Sequence, residues 1–300
     1  MPAIAIITDE YAASGLMIEA LKKTLGCSVY SDHDILGMTH REHGLKKDLL
    51  SKVIRGKSIP FNNFTHDREK CLSGLKKTLS NLLIADNCIL VGIISHLIPA
   101  SVTHVFRIQV SASRAVRIRR AVETGRYSEN TALSAIEKAD RDAARWIKSL
   151  PHLSSCDPPP CDLVIPPDDQ PDSRMDVSQA DEWAEQVRCS LEAAPFAPPH
   201  PREQELFDFR IDADAALALA SIGSGFLVHS TMGNVTVTLD RKVMNLVQIQ
   251  QEIIETVSAI SGVRSVKTKI GPNYYQGNLV RSLDFGRFSR NRGDNRKKEQ

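Results

Sequence analysis

At 300 residues, with 42% hydrophobic and 25% charged residues, the chain has the make-up of a globular protein long enough for two domains. No apolar run approaches the roughly 20 residues needed to span a bilayer, and the N-terminus lacks the order of basic, apolar and small residues that marks a secretory signal. A membrane-spanning or secreted protein is therefore not expected, the expected location is cytoplasmic, and the net charge of +2 singles out no class of partner.

The first element carries the most information. Residues 3–25 read as a buried strand, a short loop and an amphipathic helix, which is the frame of a phosphate-binding loop. In such a loop, glycines let backbone N–H groups close around phosphate oxygens, a lysine neutralises the outer phosphates, and a Ser or Thr hydroxyl helps to hold Mg²⁺. Most of those groups are missing here. Gly15 remains, but Ala12 and Ala13 carry Cβ atoms where close approach favours glycine, Leu16 stands at the place of a cation, and Asp9 brings a carboxylate to the phosphate side.

Further along, period-two and short apolar runs predict strands at 28–30, 88–91, 105–110 and 163–165, after the first at 4–7. Helical spacing predicts helices at 16–25, 46–54, 68–83, 113–122, 128–150 and 176–189. Alternation of this kind implies an α/β fold, a parallel sheet with helices on both faces, with the loop after the first strand at the sheet's carboxyl edge. His96 and His104 flank an apolar stretch and read as core or edge histidines, and Trp146 and Trp183 as core anchors. The six cysteines show no paired CxxC spacing; Cys156 and Cys161 flank a proline run with only His152 nearby, so a metal site is not expected.

After Cys189 the character changes. The expected organisation is a domain over 1–190, a proline-rich linker over 191–206, a small α+β domain over 207–276 and a basic tail over 277–300. Within the small domain a helix is expected at 213–221, strands at 225–230 and 234–239, a helix at 246–260 and a closing strand at 263–270. From Arg281 onward seven cations face three acids, a net of +4, with Phe285 and Phe288 interleaved. The plain reading is a solubilising tail; weak contact with nucleic acid or an anionic surface is the alternative.

The order and spacing of several motifs over the first 190 residues resemble the cytidylate-kinase-like family of P-loop proteins. They are Ile7-Thr8-Asp9-Glu10-Tyr11-Ala12-Ala13-Ser14-Gly15, Tyr30-Ser31-Asp32-His33-Asp34, Cys88-Ile89-Leu90-Val91-Gly92, His104-Val105-Phe106-Arg107, Arg117-Ile118-Arg119-Arg120, Ala135-Ile136-Glu137-Lys138-Ala139-Asp140-Arg141 and Asp162-Leu163-Val164-Ile165. The resemblance implies a nucleotide site at Ala12, Ala13, Ser14, Gly15, Leu16, Gly92, Arg117, Arg120, Asp140 and Arg141, with ATP and Mg²⁺ as cofactors and Asp32, Arg117, Arg120 and Arg141 as catalytic candidates. The family pattern has glycines at Ala12 and Ser14, a basic or polar residue at Leu16, and arginines at Asp9, Ile93 and Ala143; all of these depart here. Read without the family, Asp32 is equally a helix N-cap and the arginines equally a solvated helix face.

The second unit resembles a BON domain, through Gly233-Asn234-Val235-Thr236-Val237-Thr238-Leu239, the helix at 249–260 and Gly262-Val263-Arg264-Ser265-Val266. That resemblance implies binding or assembly: a protein partner, another copy of the chain, or lipid. Three readings of the whole stay open. The leading one is a catalytically impaired kinase-like protein responsive to a nucleotide or phosphate-like anion; the others are an active cytidylate-type kinase transferring phosphate from ATP to a nucleoside monophosphate, and a structural adaptor without a ligand in the first half.

Overall fold

The computed structural model describes residues 3–13, 15–125, 127–150, 161–168, 177–194 and 199–275. Ser14, Cys156, the prolines at 195 and 198 and the basic tail over 277–300 lie outside the described residues.

The elements follow in the order β1 (Ala3–Thr8), α1 (Gly15–Leu25), β2 (Ser28–Ser31), α2 (Asp32–His43), α3 (Lys47–Ile54), α4 (Asn62–Thr65), α5 (Asp67–Ala85) and β3 (Cys88–Val91). A 3₁₀ turn at Ile93–Leu97 leads to β4 (Val105–Ala112), α6 (Arg114–Glu123), α7 (Glu129–Ser149), β5 (Leu163–Asp168) and α8 (Val177–Ala193). Then come α9 (Pro199–Leu219), β6 (Phe226–Thr231), β7 (Asn234–Leu239), α10 (Leu246–Ser258) and β8 (Ser265–Ile270). Among the described residues no helix is long and apolar enough to cross a membrane.

The first five strands form one parallel sheet in the order β2-β3-β1-β4-β5. Strand alternation decides which core each residue enters. Ala3 and Ala5 of β1 point into one buried cluster with Leu75, Leu79 and Leu83 of α5, while Ile4 and Ile6 point into the opposite one with Met17 and Leu21 of α1 and Trp183 and Val187 of α8. Cys88 and Leu90 follow the first set and Ile89 the second. Both faces are thus covered, which is why β1 reads as a continuous apolar run rather than an alternating one.

Apart from the one-turn α4, which lies outside the expected helices, two helices depart from expectation. The first, α2, has too little helical periodicity to stand out, and is set instead by its start: Ser31 caps it, with the Ser31 hydroxyl accepting from the Asp34 N–H and the Asp34 carboxylate accepting from the Ser31 N–H at 2.9 Å. The second is α9. It covers part of the stretch expected as a linker and starts well before the expected helix at 213. Prolines in a first turn cost a helix little, because their missing N–H has no intrahelical partner there, and Glu203-Gln204-Glu205-Leu206 that follow are strong helix formers. Its early turns pack on α5, where Leu206 and Phe209 join the same buried cluster as Leu75, Leu79 and Trp146.

The later turns of α9 serve the second sheet, ordered β6-β7-β8. β6 and β7 are antiparallel and joined at Met232-Gly233, both at positive φ (53° and 77°), the geometry of a type I′ hairpin. β8 runs parallel to β7, and α10 supplies the crossover. Val235, Val237 and Leu239 of β7 meet Ile211, Ala215 and Leu219 of α9 and Ile253 and Val257 of α10. The Asp208 carboxylate of α9 accepts from the Ser230 hydroxyl at 2.9 Å and from the N–H groups of Met232 and Gly233 at 3.0 and 3.3 Å, which pins the hairpin turn to the helix.

The α5–α9 seam also holds charges. Lys77 pairs with Asp214 at 2.7 Å, and Lys76 lies against Asp212, where burial lowers the lysine and raises the carboxyl to about 8 while each partner's charge offsets the other's desolvation. Because Phe209 belongs to the core of the first half, Phe209→Ala should cost about 3–5 kcal/mol. The expected loss is visible in urea unfolding followed by the fluorescence of Trp146 and Trp183, which both lie in that half; an unchanged midpoint would show that α9 is not part of that core.

Candidate functional site

In a parallel sheet of this order, β1 is followed by a helix on one face and β3 by a turn on the other, so a crevice opens between their carboxyl ends. The Gly92 N–H donates to the Ile6 carbonyl at 3.0 Å across that crevice. The loop after β1, the start of α2 and the turn after β3 all meet there.

Residues 9–13 of the loop are folded onto themselves. The Ala12 N–H donates to the Asp9 carbonyl at 3.0 Å, Tyr11 adopts φ of 64°, and Ala12 is buried. That N–H is consumed within the loop instead of facing a phosphate. The carbonyls of the loop are consumed as well, by cations from α6. Arg117 donates from Nε to the Glu10 carbonyl at 2.8 Å, and Arg120 donates to the carbonyls of Ala12 and Tyr11. Arg117 also forms a two-pronged pair with Asp140 of α7, at 2.6 and 3.2 Å, and is only 6% exposed. A guanidinium buried this far is tolerable because its planar fork meets a carboxylate and a carbonyl together. The solvated-face reading of Arg117 is thereby corrected. The Tyr11 ring meets Tyr127 edge to face at 6.5 Å, and both pack on Ala121, Ala132 and Ile136 of the α6–α7 pair.

The other expected residues are distributed as follows. Ala13 is partly buried, Gly15 opens α1 with free space where a Cβ would stand, and Leu16 is 46% exposed on the first turn. Arg141 is 66% exposed and faces Glu137 on its own helix at 3.9 Å, so it does not join Arg117 and Arg120 on the loop. His96 and His104 are buried, as are Trp146 and Trp183.

Asp32 is not the cap of α2; Ser31 takes that role. Its carboxylate instead accepts from the N–H groups of Ile93 and Ile94, both at 3.0 Å, and so bridges β2 to the turn after β3. Gly92 makes this bridge feasible. It sits at φ of 130°, and a Cβ there would lie 2.3 Å from the Asp32 carboxyl carbon. Burial pushes the Asp32 carboxyl up to about 6, opposed by the two backbone hydrogen bonds and assisted by the negative charge of Glu10. The sequence names Asp32 and Gly92 but not their mutual fit. The signal that could have found it is the pairing of an Asp at the end of one strand with a glycine at the end of the neighbouring one.

The sign of the pH effect follows. A carboxyl whose folded value lies near 6, above its usual 3.8, binds more protons folded than unfolded between about pH 4 and 6, so its favourable contribution is complete below pH 4 and lost as pH rises through 6. The difference amounts to about 3 kcal/mol at most. Asp32→Asn should therefore flatten the pH dependence of stability between pH 4 and 6 relative to the parent protein; parallel curves in urea titrations at both ends of that range would refute the assignment.

A model of the cytidylate kinase-like family matches residues 4–168. No curated protein matches the chain. Among solved structures, the chain is similar to an uncharacterized protein from Eubacterium ventriosum at 15% identity, over 65% of this chain and 100% of that one, with a TM-score of 0.40. It is also similar to shikimate kinase from Acinetobacter baumannii, solved with shikimate, at 12% identity, over 66% and 96%, with a TM-score of 0.33, and to a sugar kinase from a Janibacter species at 12% identity, over 65% and 96%, with a TM-score of 0.35. The family model spans more than half of the chain, from the first buried strand through the loop, the α6–α7 pair and β5, and the chain belongs to the cytidylate kinase-like family.

Proposed function

We propose that the protein is a catalytically impaired nucleoside-monophosphate-kinase-like protein that binds a nucleotide or phosphate-like anion and acts as a regulator. In this reading residues 207–276 serve as a BON-like module for binding or assembly. The observation that carries the first half of the reading is the engagement of Arg117 and Arg120 with the carbonyls of Glu10 and Ala12. Phosphoryl transfer depends on cations placed around the transferred group, and one well-placed arginine is worth about 10³–10⁵ in rate. Here two arginines are spent on the loop itself, Arg141 faces Glu137, and Leu16 and Ile93 stand at positions where the family has polar or cationic groups.

The described residues do not fit a Mg²⁺-bound triphosphate poised for transfer. The loop's own N–H at Ala12 is turned inward, and the Asp32 carboxylate is tied to Ile93 and Ile94. They do fit a simpler anion. The start of α1 has open space above Gly15 and no acid in its first turn, so its N–H groups and helix dipole favour negative charge.

Active kinases turn over at about 1–100 per second, and the loss of transition-state cations should place this protein at least about a thousandfold lower in a coupled assay with ATP and CMP. Several turnovers per second, abolished by Arg117→Ala, would establish the active-kinase reading instead. Binding is checked separately by thermal melting. A ligand at a hundredfold excess over its Kd adds about 2.7 kcal/mol to the native state, so millimolar ATP, CMP or phosphate should raise Tm. A melting curve unmoved by all three would favour the adaptor reading.

A further inference from the structure

Away from the loop after β1, the seam between the end of α5 and the early turns of α9 opens into a cavity of about 380 Å³. That volume lies in the range of small-molecule sites, which favour junctions between structural units. Three features of its lining converge. Ile84, Leu206 and Phe207 give it an apolar floor, with Ile84 48% exposed at the rim. One wall is an ion pair between Arg202 of α9 and Asp86, the residue that ends α5. Asp86 stands at φ 63° and ψ 176°, backbone space essentially confined to glycine, and the next residue, Asn87, is again left-handed at φ 55°. Strain of that kind persists where surrounding contacts enforce it, and it gathers at ligand-holding sites.

The third feature is Arg210. Its guanidinium lies over the Phe207 ring, 5.8 Å from the centroid, and its Nε is buried without a hydrogen-bond partner. The Arg210 side chain is otherwise only partly buried and borders the cavity, so its guanidinium charge is available there to a ligand anion. Arg202 is already neutralised by Asp86, and Glu203 at the exposed edge repels excess negative charge. Two arginines against two acids leave the lining without net charge, so an anion would be held by Arg210 alone and as a single group.

We propose that this cavity binds a small amphipathic anion, a flat apolar body bearing one carboxylate or phosphate group, with the anion on Arg210 and the body against Ile84 and Leu206. The site is separate from the crevice at the sheet's carboxyl edge and does not rest on the nucleotide reading of that crevice. Because Leu206 belongs to the first core and Phe207 packs on the second, an occupant would touch both halves.

The test is a saturation-transfer NMR titration of the full chain with benzoate and phenyl phosphate as the carboxylate and phosphate probes and benzyl alcohol as the neutral one. The expected result is saturable binding of at least one anion, with benzyl alcohol about tenfold or more weaker, a loss of about tenfold or more in Arg210→Gln, and blockage in Ile84→Trp, which fills the rim. Which anion binds tighter separates the carboxylate from the phosphate source. Near-UV circular dichroism checks that the variants keep the fold; if Arg210→Gln does not, Ile84→Trp at the exposed rim decides the matter alone. Equal binding of the neutral probe, binding unaltered in a folded variant, displacement by millimolar ATP, or no binding at millimolar probe would each overturn the proposal.

Discussion

A parallel sheet has no face it can leave to water, and that constraint organises the whole molecule. Each strand alternates its side chains between two cores, so α1 and α8 must cover one face while α5, α7 and the turn after β3 cover the other. The strand ends are left over. Their carboxyl edge is where loops of different parentage meet, and where backbone N–H groups without strand partners need an acceptor. The turn after β3 finds one in Asp32, and the loop after β1 finds its partners in itself and in the arginines of α6.

Those internal solutions give several of the loop's polar groups partners within the protein. A phosphate-binding loop keeps its N–H groups unmet until a ligand arrives, which costs stability and is repaid by binding. In this chain the Ala12 N–H already has the Asp9 carbonyl, the Glu10 and Ala12 carbonyls already have guanidinium donors, and Arg117 already has Asp140. The α6–α7 pair is drawn down by the same contacts and by the Tyr11–Tyr127 meeting. Alanine at position 12 is compatible with this arrangement because the guanidinium of Arg120 meets its carbonyl, which a Cβ does not obstruct.

The same economy appears at the joint between the halves. α9 gives its early residues, Leu206 and Phe209, to the first core and its later ones, Ile211, Ala215 and Leu219, to the second. A single helix shared by two cores is a stiffer connection than a proline-rich tether, since it can bend little without opening one core or the other. The Lys76 and Asp212 pair adds orientation more than stability, because the desolvation of both groups outweighs their attraction.

The amino-acid sequence by itself determined the alternation of strands and helices, the parallel sheet and the two strands around Met232-Gly233, because these rest on periodicity and residue type within short windows; the departures at Ala12, Ala13 and Leu16 follow from the chemistry of a phosphate loop, and the one at Ile93 from the family resemblance. It also marked Arg117, Arg120, Asp140 and Asp32 as residues of interest. Only the tertiary structure decided what they do. Arg117 reaches back over about a hundred residues to the Glu10 carbonyl, and Asp32 reaches the turn after β3, made feasible by the missing side chain of Gly92. The helical start at Pro199 and the sharing of α9 between cores were equally hidden, since proline composition argues for a linker until the surface of α5 offers Leu206 and Phe209 a place to bury. Local pattern reports how a segment folds; which donor meets which acceptor depends on distances that exist only once the sheet has closed.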